Sequence, residues 1–381
     1  MRDKPTVVII NNQIMPYRVP LFTQLAARDR IRPHILYCAQ NAGDRQWTLE
    51  HFTLAYSYQI LPGFSLSLAK RLYGERRTIW LNPTLLFTLM RLRPDVVIGY
   101  EYSVPALTAL FYSQLSQCKY ITWSEMTAHT ERYLSRGQQM TRKLIYPRSD
   151  AFVVTSHAAR QNLIDKGIAA QRVFVAAQPV DVVWYQQQAA LHRPAHSDRP
   201  PTILYVGYVN ERKGVRHLIE AFDEVRKQIP DALLKIAGTG DLFDAMKQLT
   251  RRLGCAQRVD FLGFVEPLDL PPIYAGADVF VLPSLEDTFG VVATEALASG
   301  LGLVCSQYAG VSSHLHDGHD AFVMDPTDHH TLADRIITLL TDKTLREQFR
   351  TNSQATLNDF APETVATQFE HAVEIAMREL D

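Results

Sequence analysis

The stretch LPSLEDTFGVVATEALASGLGLV, Leu282–Val304, decides how this chain folds. It begins at the end of VFVLP, a short apolar run closed by proline, as a buried parallel strand is at its carboxyl edge. Ser284 to Gly290 is polar with a late glycine and predicts a loop. VVATEALA is a good helix former with Glu295 inside it. A loop and helix start at the carboxyl end of a parallel strand is where open α/β sheets bind ligands. Asp287 and Glu295, eight positions apart, could each hold a different part of one polar molecule. On pattern alone they read equally well as a helix cap and an ordinary surface residue.

Working outward, the same strand–loop–helix rhythm repeats in both directions. PTILYVGYV, LLKIAGTGD, VDFLGFV and LGLVCS are further strands of the second half. TVVIINN, RPHILYCA, PDVVIGY, KYITWSEM and DAFVVTS are strands of the first. This alternation predicts an α/β protein with doubly wound parallel sheets. A chain of 381 residues exceeds one ordinary core, so two domains are expected. The boundaries read as 1-181, a Gln-, His- and Pro-rich linker at 182-200, a second domain at 201-361, and a terminal helix at 362-381. That helix carries Val365, Phe369, Val373 and Met377 as an apolar stripe, which needs a surface to pack on.

No apolar run approaches the length needed to span a bilayer, and MRDKPTVVIINN reads as a first strand, not a signal peptide. Four scattered cysteines without CxxC spacing predict buried thiols in a reducing cytoplasm, with neither a disulfide framework nor a zinc site. Charge is unevenly spread: residues 1–180 carry a net +11 and residues 181–381 a net −12. Such asymmetry predicts an anionic partner for the first half, or mutual attraction of the halves. PGFSLSLAKRLYGERR places Phe64, Leu66 and Leu68 beside Lys70, Arg71, Arg76 and Arg77. That composition suits peripheral contact with an anionic membrane, though a solvated loop sealing the core has the same composition. No recognition motif accompanies the charge, so nucleic acid is not expected.

Two loops carry candidate chemistry. Gly207-Tyr208-Val209-Asn210-Glu211-Arg212-Lys213-Gly214 follows a strand and opens a helix. Amides at that helix start, with Arg212 and Lys213, make a phosphate cradle. AGTGD, with Gly238, is a second glycine-bearing strand end but lacks the full dinucleotide fingerprint. In the first half, Tyr17 and Arg18 follow the first strand and are expected to face an acceptor. Glu125 ends KYITWSEM.

The order G-x5-KG, AGTGD, FLGFV, PSLEDTFGVVATEALASG resembles the retaining glycosyltransferases of family 4, which have the GT-B fold. The match is specific over about 200–325 and architectural over 1–180. YRVPLF and EDTFGVVATEA also resemble members that build bacterial surface polysaccharides. The resemblance implies two Rossmann-like domains facing a cleft, with the terminal helix returning to the first. It implies a nucleoside diphosphate sugar, UDP-sugar first and GDP-sugar second, held by the second domain, and a glycan or lipid-linked acceptor hydroxyl held by the first.

By position it assigns the donor diphosphate to Lys213 and the base to the backbone around Phe264 and Val265. Glu295 takes the ribose hydroxyls and Asp287 the sugar hydroxyls. The amides of Phe289, Gly290 and Val291 lie near sugar and phosphates, and Gly207, Arg212 and Gly238 complete the donor site. Lys213, Asp287 and Glu125 are the catalytic candidates. No DxD-type motif stands in the expected place, so transfer without metal or cofactor is expected, in the cytoplasm or at the cytoplasmic face of the inner membrane.

This sequence departs from the family at several positions. Tyr208 stands where Arg is usual, Glu125 where His is frequent, Asp287 where Glu is usual, and Gly302 where Pro is usual. Ser313 replaces a frequent Glu. An epimerase of the same fold, a noncatalytic sugar-nucleotide binder and a nucleic-acid binder are the competing readings.

Overall fold

The computed structural model describes residues 4–40, 53–69, 76–194 and 199–378. The chain divides into two compact units, Met1–Pro179 with Pro362–Asp381, and Val180–Ala361. The second unit is thus an insertion within the first.

Strands of the first unit are β1 (Thr6–Asn11), β2 (Arg32–Tyr37), β3 (Tyr58–Ile60), β4 (Phe64–Ala69), β5 (Arg76–Leu81), β6 (Val96–Tyr100), β7 (Lys119–Ser124), β8 (Ala151–Val154) and β9 (Val173–Val175). Seven of them form a parallel sheet in the order β3-β2-β1-β6-β7-β8-β9. β4 and β5 pair separately as an antiparallel hairpin. Central strands are buried on both faces by helices, which is why they read as unbroken Val/Ile runs without alternation. Val7, Val8, Ile9, Val96, Val97 and Ile98 are all fully buried. The segment PGFSLSLAKRLYGERR, whose composition also suits a solvated loop, contains β4 and the start of β5. FSLSLA alternates apolar and polar residues with the period of a strand, and its residues from Phe64 to Ser67 are exposed on both faces.

Strands of the second unit are β10 (Thr202–Val206), β11 (Leu233–Ala237), β12 (Val259–Gly263), β13 (Val279–Leu282), β14 (Gly302–Ser306) and β15 (Phe322–Met324). All are parallel, in the order β12-β11-β10-β13-β14-β15. From β10 the chain builds outward to β11 and β12, then returns to place β13 on the other side of β10. The switch point therefore lies between β10 and β13, and a ligand crevice belongs at their carboxyl ends.

One stretch differs from expectation and another meets it. The supposed linker at 182-200 contains a helix, Val182–His192, capped by Asp181 accepting from the Trp184 amide at 3.0 Å. It buries Tyr185 and Ala189, so it is part of the second unit and no spacer. The terminal helix, Pro362–Arg378, buries Val365, Ala366, Phe369, Ala372, Val373 and Ala376 within the first unit. There Phe369 meets Trp123 edge-on at 5.0 Å, and Arg28 binds Glu370 at 3.0 Å. The four cysteines are free and buried. Among the described residues no helix is long and apolar enough to cross a membrane.

Candidate functional site

The loops leaving β10 and β13 are built against each other. Gly214 has φ 66°, and a Cβ there would lie 2.0 Å from the Pro283 carbonyl oxygen, so only glycine permits this approach. The Leu285 amide donates to the Arg212 carbonyl at 2.8 Å, and Arg212 Nη1 donates to the Glu286 carbonyl at 2.9 Å. Asn210 Oδ1 accepts from the Lys213 amide at 3.0 Å, holding the turn. Lys213 Nζ then reaches Asp287 Oδ2 at 2.5 Å. The neighbouring ends are stitched similarly. The Gly207 amide donates to Ala237 and the Gly238 amide to Gly263. A Cβ on Gly238 would fall 1.8 Å from the Gly207 carbonyl oxygen.

Burial alone would raise the Asp287 carboxyl. The charges of Lys213 and Arg212 outweigh it, with hydrogen bonds from Lys213 and the Phe289 amide, and hold it below the usual carboxylate range. Asp287 is therefore an anion with a cation beside it at neutral pH. Gly290 is the N-cap residue of the helix Val291–Ala298, whose first-turn amides have no acceptor within the helix. A cation, helix amides and a paired carboxylate at one switch point can together bind an anion that also carries hydroxyls.

Glu295 lies on that helix. Tyr274 Oη donates to its Oε2 at 2.8 Å, and Tyr185 is a second hydroxyl partner. Burial raises the Glu295 carboxyl above its usual range, opposed by those two hydrogen bonds. The two tyrosines, whose rings are 6.0 Å apart, orient the carboxylate. Sequence reading missed both. Tyr185 sat inside the supposed linker, where the run of glutamines hid a helix; Tyr274 carried no motif.

Other expected donor residues fall around this core. Phe264 and Val265 leave the carboxyl end of β12, with the Phe264 ring substantially exposed. Phe289 buries its ring against His314 and Phe360. Its amide lies 3.4 Å from Asp287 Oδ1. Tyr208 is partly exposed, its carbonyl accepting from Tyr205 Oη at 2.6 Å.

The first unit gathers a different cluster at the carboxyl ends of β1, β6 and β7. Arg18, expected to meet an acceptor, is instead fully buried. Its guanidinium lies 4.3 Å from the Tyr100 ring centre and 4.4 Å from that of Trp123. It donates to Asn11 and Tyr100 at 2.9 Å and to Glu125 Oε1 at 2.5 Å. Planar guanidinium groups suit such stacked, multiply bonded sites. The same Glu125 oxygen accepts from Tyr100 Oη at 2.7 Å and from Gln178. Glu125, a catalytic candidate, thus sits buried in a structural network, whereas Tyr17 is only partly buried.

Glu101, not singled out beforehand, accepts from the Glu125 amide at 2.7 Å. Its φ is 55°, a strained value for a residue with a side chain. Burial, then the Glu125 charge, pushes its carboxyl up to about 8. The hairpin side chains from Leu68 to Arg77, including Lys70, Arg71 and Arg76, lie outside the described residues.

Comparison with known proteins agrees with this construction. The family model described as "Glycosyl transferases group 1" matches residues 187–356, and "Glycosyltransferase Family 4" matches residues 21–184. An uncharacterised glycosyltransferase of Methanocaldococcus jannaschii is 32% identical over 47% of this chain and 46% of its own length. Glycogen synthase of Mycobacterium tuberculosis is 28% identical over 72% of this chain and 67% of its own. The chain thus spans under half of the first relative and about two thirds of the second. HepE of Anabaena, solved with UDP and glucose, superimposes with a TM-score of 0.75 at 18% identity, covering 97% of this chain and 99% of HepE. Two doubly wound parallel units, a loop pair joined at the second unit's switch point and these two adjoining matches lead to one assignment: the chain belongs to the family-4 glycosyltransferases and has the GT-B fold.

Proposed function

We propose that this protein transfers a sugar from a nucleoside diphosphate sugar to an acceptor hydroxyl, with retention at the anomeric carbon. The observation that carries the reading is the Lys213–Asp287 pair spanning the β10 and β13 loops, with Glu295 fixed by tyrosine on the next helix. Lys213 and the amides of Gly290 and Val291 stabilise negative charge as it develops on the departing diphosphate. Asp287 takes sugar hydroxyls and Glu295 the ribose. A UDP-sugar is the favoured donor, since the similar HepE was solved with UDP and glucose. No step in this reading calls on a metal or cofactor.

The acceptor is a glycan or lipid-linked hydroxyl of bacterial surface polysaccharide synthesis, reached at the cytoplasmic face of the inner membrane. Exposed apolar side chains of the first unit support this. Phe64 and Leu66 project from β4, and the helix Arg136–Ile145 exposes Met140 and Leu144 beside Arg136 and Lys143. Apolar tips beside cations suit a headgroup boundary.

The test is a screen of UDP-, GDP- and dTDP-sugars for thermal stabilisation, followed by product analysis with lipid-linked acceptors. One nucleotide class should raise the melting midpoint and support glycosylation with retained anomeric configuration. Conversion of a sugar nucleotide into its epimer without acceptor, or binding without turnover across the acceptor panel, would displace the proposal.

A further inference from the structure

Behind the phosphate-loop helix lies a second group of chemistry-bearing side chains that the transfer reading does not use. His217 and Glu220 are three residues apart on the helix Val215–Gln228, and so share one face. His329 is the first residue of the helix His329–Thr341, whose cap is Asp328 accepting from the Thr331 amide at 3.1 Å. The three side chains converge. His217 Nδ1 lies 2.7 Å from His329 Nε2. Glu220 Oε2 is 3.3 Å from His329 Nε2 and 4.0 Å from His217 Nδ1.

Their placement is rigid. Leu218, Ile219 and Phe222 on one helix share a buried core with Leu332, Ala333 and Ile336 on the other. The outer Glu220 oxygen, Oε1, is held by Arg216 at 2.9 Å, leaving Oε2 as the oxygen turned to the imidazoles. The group borders a cavity of about 590 Å³, lined also by Asn210, Gly214, Leu242 and Met246. Lys213, Asp287 and Glu295 do not line it.

We propose that His217, Glu220 and His329 form a binding site for a divalent transition metal, zinc by ligand chemistry, with its remaining coordination position open to the cavity. Two imidazoles and one carboxylate are a zinc ligand set. Bonds of about 2.0–2.2 Å in tetrahedral geometry place donor atoms about 3.3–3.5 Å apart. The observed separations bracket that value, so the ring pair opens and the carboxylate closes by well under 1 Å. The bound ion ties the helix Val215–Gln228 to the start of the helix that follows β15. It neutralises the crowding of two ring nitrogens and a carboxylate on one spot. The proposal is independent of the transfer reading, because none of the three ligands belongs to the donor loops' ion pair.

The experiment uses the full chain stripped with chelator, then titrated with zinc, cobalt or magnesium. Wild type should bind one equivalent of zinc, raise its melting midpoint with zinc but not magnesium, and give the visible absorption of tetrahedral cobalt. His217→Asn and His329→Asn, each at a partly exposed position, should abolish the cobalt spectrum and the midpoint shift. They should also weaken zinc binding at least tenfold while the far-ultraviolet circular dichroism stays unchanged. A cobalt spectrum and zinc shift that persist in both variants would overturn the proposal. So would a wild type that binds no zinc.

Discussion

Lys213 and Asp287 lie 74 positions apart in sequence, yet their side chains meet at 2.5 Å, both largely buried, joining the loops that leave two adjacent strands. Burying both charges is worthwhile only while each has the other. Lys213→Met or Asp287→Asn alone should each lower the urea midpoint, and the double variant should lose less than their sum. A double-mutant cycle should return a coupling of about 1–3 kcal/mol. Additive losses would show that the two loops are held by their backbone contacts alone.

Turnover should separate the roles of the two donor-side charges. Lys213→Met should reduce kcat by about 10²–10³, the range seen when one group stabilising developing negative charge is removed. Glu295→Gln should act mainly on donor affinity, weakening it about tenfold or more, as loss of one hydrogen bond to a charged group does. Calorimetric titration with the nucleotide, beside steady-state rates, distinguishes them. Equal effects of Glu295→Gln on bound nucleoside diphosphate and on an unrelated anion would count against its ribose role.

Glu101 should leave a signature in the pH dependence of stability. A carboxyl raised to about 8 in the folded state, against about 4.3 unfolded, binds a proton more tightly when folded. Its contribution is fully present below about pH 4.3 and is lost as pH rises through about 8. Glu101→Gln should flatten the fall in melting midpoint across that window. An unchanged slope in the variant would place the titration elsewhere.

Replacing Arg18 by Met should destabilise the protein by about 3–5 kcal/mol, because Glu125 would be left buried without its guanidinium. Arg18→Met with Glu125→Gln should recover part of that loss. Nucleotide binding, which the proposed function assigns to the second unit, should persist in the folded fraction of both. Equilibrium urea curves and nucleotide titration check the two halves of this expectation.

The sequence was most readable where physics is local. Val/Ile runs closed by glycine or proline located the central strands, because a strand covered on both faces tolerates little else. Gly214 and Gly238 marked loops where another backbone passes too closely for a side chain, and Gly207 and Gly290 marked loops whose positive φ and neighbouring side chains leave no room for one. Readability failed where partners come from distant positions. Arg18 looked exposed since nothing nearby in sequence offers it an anion; Glu125, 107 positions on, does. Tyr185 looked like linker since its partners, Glu295 and Tyr274, lie on other helices. Short strands such as Phe322–Met324 are set by a neighbour's edge more than by their own three residues.

The terminal helix, Pro362–Arg378, belongs to the unit that the chain begins, on the far side of an inserted unit of 182 residues, Val180–Ala361. During synthesis, the first sheet must therefore wait with part of its helical cover missing while the whole second unit emerges. Trp123 lacks its contact with Phe369 through that interval. The second unit, continuous in sequence, can close its own sheet before the first is finished. Order of completion on the ribosome thus runs opposite to order of translation, and the unit made first is the last to become whole.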